Sequence, residues 1–366
     1  MKHTQGIDRA FITIIAVLVI FGFAVFLSAS MGLLATNAAA FSAAAFKQAF
    51  FGIVLGVAAC FVFSRVPYVL FRRYALFLFL GSLFVTAAVF IPHIGVKING
   101  ARRWLLIAGI SFQPVAFLNI GFTAYFAAWL ASAKEKVATF RYGPLPLLVL
   151  VALVGAILIK QPDTTSFTVI AVTGVSMLLI AGGRIRHILI LGLIGIACIA
   201  ALAIMRPYVM SRIETFLHPA DNALTSGYQV AQSEIALGSG GFLGRGLGQS
   251  IEKYQYLPVS TSDAIFAILG EELGFVGCLA AIVLFLIFAF RGFRIAVTAP
   301  DAFGGLFAAG IVIIVIVQSF ANIGSTIGVI PFSGVPLAFF SQGGTSMLAM
   351  LAELGIILNI SKSTKE

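Results

Sequence analysis

The stretch YLPVSTSDAIFAILGEELGFVG, residues 256–277, joins a long apolar segment to three acidic residues. Asp263 precedes the apolar run, and Glu271 and Glu272 lie about two turns inside it. On a helix that rises about 1.5 Å per residue, Glu271 would lie about 12 Å deeper than Asp263. Because a carboxylate at membrane depth costs several kcal/mol, such acids normally face a polar partner or a functional cavity. The stretch therefore predicts a membrane helix whose acids have a defined task.

The composition of the whole chain supports the same class. Of its 366 residues, 60% are hydrophobic and only 10% are charged, whereas soluble domains carry about 25% charged residues. We therefore expect one membrane domain over residues 1–366. The three cysteines form no Cys-x-x-Cys pair, which argues against a disulfide framework or a zinc site.

Apolar stretches near the length of about 20 residues that spans a bilayer recur along the chain. They predict an all-α polytopic protein with about ten transmembrane helices. The predicted spans are 11–34, 49–64, 74–92, 113–131, 144–160, 164–182, 187–205, 264–290, 303–323 and 336–359.

The loops between these spans alternate in charge. Basic residues fill one set of short loops, which predicts that this set and both termini are cytoplasmic. Its members are Lys2, Arg9, Arg65, Arg72, Arg73, Lys134, Lys136, Arg141, Arg184, Arg186, Arg291, Arg294, Lys362 and Lys365.

Two outer segments carry basic residues against this trend. They are HIGVKINGARRWL (93–105) and the long loop 206–262 between the seventh and eighth spans. Cations on the outer side predict an anionic partner there, such as a phosphate-bearing lipid. The net charge of +10 is spread over short clusters, so nucleic acid is not expected as a partner.

The long outer loop contains a glycine-rich stretch. Six of the eleven residues 238–248 are glycine. Such backbone can approach a phosphate closely, but the stretch lacks the Gly-Lys-Ser/Thr ending of a P-loop. A flexible hinge or a re-entrant turn explains it equally well.

Short motifs from the first predicted span to the last resemble, in order and spacing, the SEDS family (shape, elongation, division and sporulation proteins). They are FLSAS (26–30), NGARRWL (99–105), SFQP (111–114), QPDTTS (161–166), GYQVAQSEIALGSGGFLGRGLGQSIEKYQYLP (227–258), SDAIFAILGEELGFVG (262–277) and GVPLAFFSQGGTSML (334–348). GLGQSIEKYQYLP, together with Gly270, resembles the division branch (FtsW) or its sporulation relative more than the elongation branch (RodA).

The resemblance implies a SEDS-type fold and a peptidoglycan glycosyltransferase in the bacterial cytoplasmic membrane. Such an enzyme polymerises lipid II on the outer face. The implied partners are lipid II, a class B penicillin-binding protein that acts as transpeptidase, and other division-complex membrane proteins. No organic cofactor is expected, although a divalent cation, Mg²⁺ or Mn²⁺, fits the pyrophosphate chemistry. A lipid II flippase and a catalytically impaired division scaffold are the alternatives.

The resemblance also implies the site residues. Asp263 corresponds to the family's catalytic aspartate, as a general base or as a ligand of the divalent cation. Its position also fits a helix N-cap. The implied substrate-binding residues are Lys97, Arg102, Arg103, Gln113, Asp163, Ser239, Arg245 and Lys253. Asp163 also fits an Asx turn, and we expect Glu271, Glu272 and Glu353 to be paired structurally within the bundle.

Four positions depart from the family pattern. The family's Glu and Lys in QPSEFAK are Ala116 and Asn119 here, and its Glu and His in PEAHTD are Val259 and Thr261. Because polar groups are lost near the implied site, these departures put catalytic activity in doubt and leave the fold unaffected.

Overall fold

The computed structural model describes residues 6–34, 37–98, 101–107, 110–218, 227–254, 256–257 and 260–363. Its longer elements are helices joined by short turns. The helices are α1 (Arg9–Leu34), α2 (Ala38–Phe46), α3 (Leu55–Phe63), α4 (Tyr68–Arg73), α5 (Ala75–Ala87), α6 (Val115–Ala133), α7 (Pro144–Leu158), α8 (Thr164–Ile180), α9 (Ile185–Met205), α10 (Pro207–Leu217), α11 (Tyr228–Gly240), α12 (Ile265–Val297), α13 (Ala302–Thr326) and α14 (Gly344–Ser361). The strands are β1 (Gly95–Ile98), β2 (Ala101–Ile107) and β3 (Ile110–Phe112).

Helices occupy all ten predicted spans. Within the described chain, seven are long and apolar enough to cross a membrane: α1, the continuous Ala38–Phe63 helix, α6, α9, α12, α13 and α14. A π-helical segment, Lys47–Val54, joins α2 to α3 within the second of these. Three shorter apolar helices, Ala75–Phe90, Pro144–Leu158 and Thr164–Ile180, occupy the remaining spans. The helical membrane class is confirmed, and the number of crossing helices stays a prediction.

The core lies around α13 and α14. Their most apolar stretches are 72% and 67% buried, whereas that of α9 is only 11% buried. All three helices are mostly apolar and have no distinct polar face, so contact with other helices rather than sequence pattern decides which of them is internal. Because little of the apolar surface of α9 is covered by other parts of the protein, this surface is suited to contact with lipid.

A small sheet lies where an outer loop was expected, so the all-α prediction needs this addition. β2 pairs antiparallel with both β1 and β3. The β1–β2 register shifts: Val96 faces Trp104, but Lys97 faces Arg102. Arg103 is therefore an extra residue, and a bulge of this kind redirects side chains.

The predicted span 336–359 is wrong at its start, because its helix begins only at Gly344. The preceding residues form a buried loop whose backbone groups bond to side chains. Ser341 Oγ accepts from the Leu337 amide at 2.7 Å, and Gln318 donates to the Pro336 carbonyl at 3.0 Å. These bonds satisfy the backbone without helix formation.

The glycine-rich stretch packs against a break in α12. At Gly274 the backbone leaves the helical conformation, with φ +65°. The Arg245 amide donates to the Glu271 carbonyl at 3.0 Å, and the Phe275 amide donates to the Gly241 carbonyl at 3.0 Å. Hydrogen bonds to the backbone of the glycine-rich stretch therefore replace the helical hydrogen bonds that are lost at the break. This geometry favours the re-entrant turn over a phosphate cradle.

Candidate functional site

Asp263 lies two residues before α12, at the end of the outer loop. Ser262 Oγ donates to Asp263 Oδ1 at 2.7 Å. Asn322 Nδ2 donates to the Asp263 carbonyl at 2.7 Å, and Ser341 Oγ donates to the Ser262 carbonyl at 2.6 Å. Side chains of α13 and of the buried loop therefore fix the backbone that carries the carboxylate. The N-cap interpretation is not supported, since Ala264 occupies the cap position without a side-chain bond.

The loop that fixes this backbone is itself held by Gln48. This buried glutamine on the π-helical segment donates from Nε2 to the Ser341 carbonyl at 3.2 Å. Its Oε1 accepts from the Gly343 amide at 3.0 Å. The two hydrogen bonds from the Gln48 side-chain amide hold the loop at Ser341 and at Gly343, and this loop in turn holds the backbone next to Asp263. None of the sequence motifs includes Gln48.

The bulge in β2 brings Arg103 to Asp163. Arg103 Nη1 lies 3.7 Å from Asp163 Oδ1, and Nη2 donates to the Pro162 carbonyl. Asp163 also caps α8, accepting from the amide and the hydroxyl of Ser166 at 3.3 and 2.9 Å. The local turn chemistry expected for Asp163 is therefore present together with a charge partner. Arg103 Nε is buried without a hydrogen-bond partner in the described chain.

Arg212 on α10 is a second guanidinium at this site. A Cβ atom added to Gly334 would lie 3.6 Å from Arg212 Nη2 and 3.5 Å from Asp263 Oδ2. The absence of a side chain at residue 334, where φ is +63°, leaves a gap next to both charged groups. Arg212 Nη1 donates to the Ser333 carbonyl at 3.3 Å. In the sequence, Arg212 lies within the basic segment 206–262, and none of the motifs assigns it to the site.

Burial has the largest effect on the pKa values of Asp263 and Arg212. Desolvation raises the pKa of the Asp263 carboxyl above its ordinary value of 3.8, while the Ser262 hydrogen bond and the charges of Arg103 and Arg212 act in the opposite direction. Desolvation also lowers the pKa of Arg212, with a further contribution from the positive charge of Arg103. An acid with a raised pKa beside two arginines is typical of a functional site.

A second charged cluster lies deeper along α12. Lys253 Nζ is 2.8 Å from Glu272 Oε1, and the exposed fractions of the two side chains are 0% and 1%. Arg245 Nη1 is 3.3 Å from Glu271 Oε1. The structural pairing expected for the two glutamates is confirmed. The substrate-binding prediction for Lys253 does not fit this geometry, because its ammonium is enclosed and paired; we assign it a structural role.

The other predicted residues are spread around the two clusters. Lys97 and Arg102 are exposed and lie opposite each other on β1 and β2. Gln113 Oε1 accepts from Ser346 at 3.0 Å. Ser239 donates to the Ala236 carbonyl at 2.9 Å, and its own carbonyl receives Arg245 Nε at 3.5 Å. The structure therefore places Arg103 and Asp163, but not these residues, in the charge environment of Asp263.

The departures from the family pattern fall in two places. Ala116 and Asn119 line a cavity of about 80 Å³ together with Gln113 and Glu353. Glu353 is buried, yet it makes no ion pair with a described residue, so the pairing expected there is not found. Thr261 Oγ1 donates to Gln342 Oε1 at 2.8 Å, which gives this residue a structural use. Val259 lies outside the described residues.

Few carboxylates are available to a metal ion. Among the described residues there is no group of three or more His, Cys, Asp or Glu side chains that would hold one. Magnesium, however, commonly takes one or two protein carboxylates and completes its shell with water and phosphate oxygens. Asp263 Oδ2, which faces the Gly334 gap, fits that limited role.

The fold and the site define a helical membrane protein with a carboxylate–arginine site where the helix bundle meets the segment 206–262. The chain belongs to the cell cycle protein family of FtsW, RodA and SpoVE, whose profile matches residues 8–366. The expectation of a SEDS protein close to the FtsW branch is confirmed.

Individual relatives agree with this assignment. The chain is 39% identical over 311 residues to stage V sporulation protein E of Bacillus subtilis (strain 168), covering 85% of each chain. It is 33% identical over 368 residues to the probable peptidoglycan glycosyltransferase FtsW of Geobacter sp. (strain M18), covering 99% of this chain and 98% of the relative.

Solved structures share the fold. One is a chain from a structure described as the structural coordination of polymerization and crosslinking by a peptidoglycan synthase complex. It superposes on this protein with a TM-score of 0.80 and 26% sequence identity, covering 97% of both chains. The rod shape-determining protein RodA of Thermus thermophilus matches with TM-score 0.73 and 24% identity over 98% of both chains.

Proposed function

We propose that this protein is a peptidoglycan glycosyltransferase that polymerises lipid II on the outer face of the bacterial cytoplasmic membrane during cell division. One observation carries the proposal: the Asp263 carboxylate, with its raised pKa, lies in the field of Arg103 and Arg212 beside an open gap at Gly334. This combination suits a reaction that removes a proton and releases an anion.

In the proposed reaction a sugar hydroxyl of one lipid II attacks the anomeric carbon of a second chain. Asp263 takes the hydroxyl proton, a new carbon–oxygen bond forms, and the bond to the lipid pyrophosphate breaks. A base works best when its pKa lies close to the operating pH. Burial moves Asp263 in this direction.

The departing pyrophosphate requires cations. Arg103 and Arg212 carry fixed positive charge near Asp263, and the unpartnered Arg103 Nε is a donor that an anionic ligand would satisfy. A divalent cation on Asp263 would supply further charge to the same oxygens. The exposed pair Lys97 and Arg102 lies on the outer hairpin, where we expect it to attract the anionic substrate rather than to contact the reacting bond.

The partners follow from the relatives. The names of several relatives describe them as probable peptidoglycan glycosyltransferases, and one structural neighbour comes from a complex that couples polymerization to crosslinking. We therefore expect this protein to work with a membrane-anchored class B penicillin-binding protein and with other division-complex membrane proteins.

The test is polymerisation of purified lipid II by the protein co-purified with its cognate transpeptidase. Wild type, Asp263→Asn and the control Glu214→Gln, which changes an exposed acid of the same outer loop, are assayed with and without divalent cation. We expect polymer from wild type and from Glu214→Gln, and none from Asp263→Asn. A requirement for Mg²⁺ or Mn²⁺ would support the metal-ligand role of Asp263 over the role of a base alone.

Two other results would favour the alternatives. If no variant makes polymer while the complex is intact and an active homologue works alongside, the scaffold hypothesis gains. Lipid II translocation in vesicles that is unaffected by Asp263→Asn would instead favour a flippase.

A further inference from the structure

A second cavity lies on the outer side of the molecule, next to the Asp263 site. It encloses about 340 Å³ between α10, α11 and the segment that follows α13. Small-molecule sites typically measure about 300–1,000 Å³, with apolar walls and a few polar groups. Apart from Arg212, the residues that line this cavity have no part in the proposed reaction.

The walls combine two kinds of surface. Tyr208, Phe216 and Phe332 contribute aromatic rings, and Ser211, Arg212 and Glu234 contribute hydrogen-bonding groups. A pyranose ring has the complementary pair of surfaces, because its C–H faces are apolar and its rim carries hydroxyl and amide groups. Arginine only donates hydrogen bonds and an ionised glutamate only accepts them, so the two together suit hydroxyls, which do both.

The charge of the lining indicates a neutral ligand. Among the described residues that line the cavity, the single arginine is balanced by a single carboxylate, which differs from the excess positive charge expected of a pyrophosphate site. A lipid tail suits the cavity less well than a sugar, since it offers no hydrogen bonds to the Glu234 carboxylate or to Arg212. Glu234 Oε1 lies 2.9 Å from the point that a Cβ of Gly328 would occupy, so the glycine leaves the carboxylate room at the wall.

Arg212 connects the cavity to the reaction centre. It lines the cavity, and its Nη2 lies beside the Gly334 gap that Asp263 Oδ2 also adjoins. We propose that this cavity binds one N-acetylhexosamine ring of the glycan substrate, next to the bond that reacts. The inference rests on the proposed glycosyltransferase function and adds to it a subsite built by α10 and α11.

The probe is the N-acetylglucosamine tetramer, with binding measured by saturation-transfer NMR on the detergent-purified complex. Phe216→Ala and Glu234→Ala change the cavity. Leu217→Ala and Glu214→Ala are matched controls, because both residues are exposed on α10 and do not line the described cavity. We expect saturation transfer to wild type and to both controls, and a signal reduced several-fold in both cavity variants.

Kinetics give a second readout. Losing one sugar contact costs roughly 1 kcal/mol, which corresponds to about a five- to tenfold rise in KM for lipid II, and we expect kcat to change less. If wild type polymerises lipid II and the cavity variants match the controls in both assays, the subsite is wrong while the glycosyltransferase stands. Binding of a free stem pentapeptide that the same variants abolish, without tetramer binding, would also overturn it. Absence of polymer from wild type would count against the proposed function, and the tetramer signal would still decide the subsite.

Discussion

The Lys253 ammonium lies 2.8 Å from Glu272 Oε1, with both side chains almost fully buried. Lys253 Nζ also donates to the Gly248 carbonyl at 2.7 Å, and Glu272 accepts from Ser28 on α1 at 2.6 Å. Through these contacts, the Lys253–Glu272 pair links the glycine-rich stretch to both α12 and α1. Its energetic role is to compensate the buried charge on α12, and removing one member leaves the other without a counter-ion.

We accordingly expect Lys253→Met to destabilise the protein by about 3–5 kcal/mol. Adding Glu272→Gln should restore part of this loss, since it removes the uncompensated charge. Denaturant unfolding in detergent micelles measures both. Lys97→Met, at an exposed lysine of β1, should shift the free energy of unfolding by less than about 0.5 kcal/mol. Equal effects at Lys253 and Lys97 would mean that the buried pair does not carry the stabilisation.

Adjacent arginines on β2 offer a second comparison. Arg103 is directed by the bulge towards Asp163 and Pro162, whereas Arg102 is exposed. Lysine cannot reproduce a guanidinium that serves two acceptors. Since a charged hydrogen bond contributes about 1.5–3 kcal/mol, Arg103→Lys should lower kcat/KM for polymerisation by roughly 10- to 100-fold.

Arg102→Lys is the matched control and should change kcat/KM by less than about threefold, because it preserves an exposed charge without a specific partner. Both variants should appear in the membrane at wild-type levels. A loss at Arg102 that equals the loss at Arg103 would show that net positive charge on the hairpin matters more than the geometry of Arg103.

Gly334 permits a further test, because its φ of +63° is strained for other residues. An added methyl group would contact both Asp263 Oδ2 and Arg212 Nη2, at 3.5 and 3.6 Å. Gly334→Ala should cost roughly 1–2 kcal/mol of stability and should also abolish most polymerisation by occupying the gap. Gly182→Ala supplies the control for strain, since Gly182 has φ +93° with open space around it. Activity per folded molecule should fall only at Gly334.

The sequence predicted where the helices lie, because about 20 consecutive apolar residues leave little alternative to a membrane helix; how many of them cross the membrane stays a prediction. The motifs also single out Asp263, Arg103 and Asp163, which the structure brings into one charge environment; their part in the reaction stays a prediction. Charge type alone could not show which partner each acid would take. The motifs imply substrate contacts for Lys253 and Arg245, and in the structure these cations pair with Glu272 and Glu271. A substrate contact of the exposed Arg245 stays a prediction.

Other features could not be predicted because they depend on the tertiary structure. The bulge at Arg103 depends on strand register, and the role of Arg212 depends on how α10 folds over the buried loop. The start of α14 was misplaced because hydropathy cannot distinguish a buried loop whose backbone bonds to side chains from a helix end. Positive charge in an outer loop was the one sequence signal that could have added Arg212 to the site.

The raised pKa of Asp263 links catalysis to stability in opposite directions. Burial disfavours the carboxylate in the folded protein, so the folded state binds a proton more readily than the unfolded state. Stability from this group is therefore fully present below the unfolded pKa of about 3.8 and falls as pH rises through the raised folded pKa. Asp263→Asn should consequently be more stable than wild type at neutral pH, and this difference should vanish on acidification.

Polymerisation activity should change with pH in the opposite direction to the stability contributed by Asp263. Because the proposed reaction needs the carboxylate, polymerisation should fail as pH drops through the raised pKa, above the value typical of an exposed aspartate. Unfolding and polymerisation measured across the same pH series test both statements. Glu214→Gln, at an exposed acid, should leave both profiles unchanged. If Asp263→Asn were less stable than wild type at neutral pH, the carboxylate would have a stabilising structural partner and its role as a strained catalytic group would be wrong.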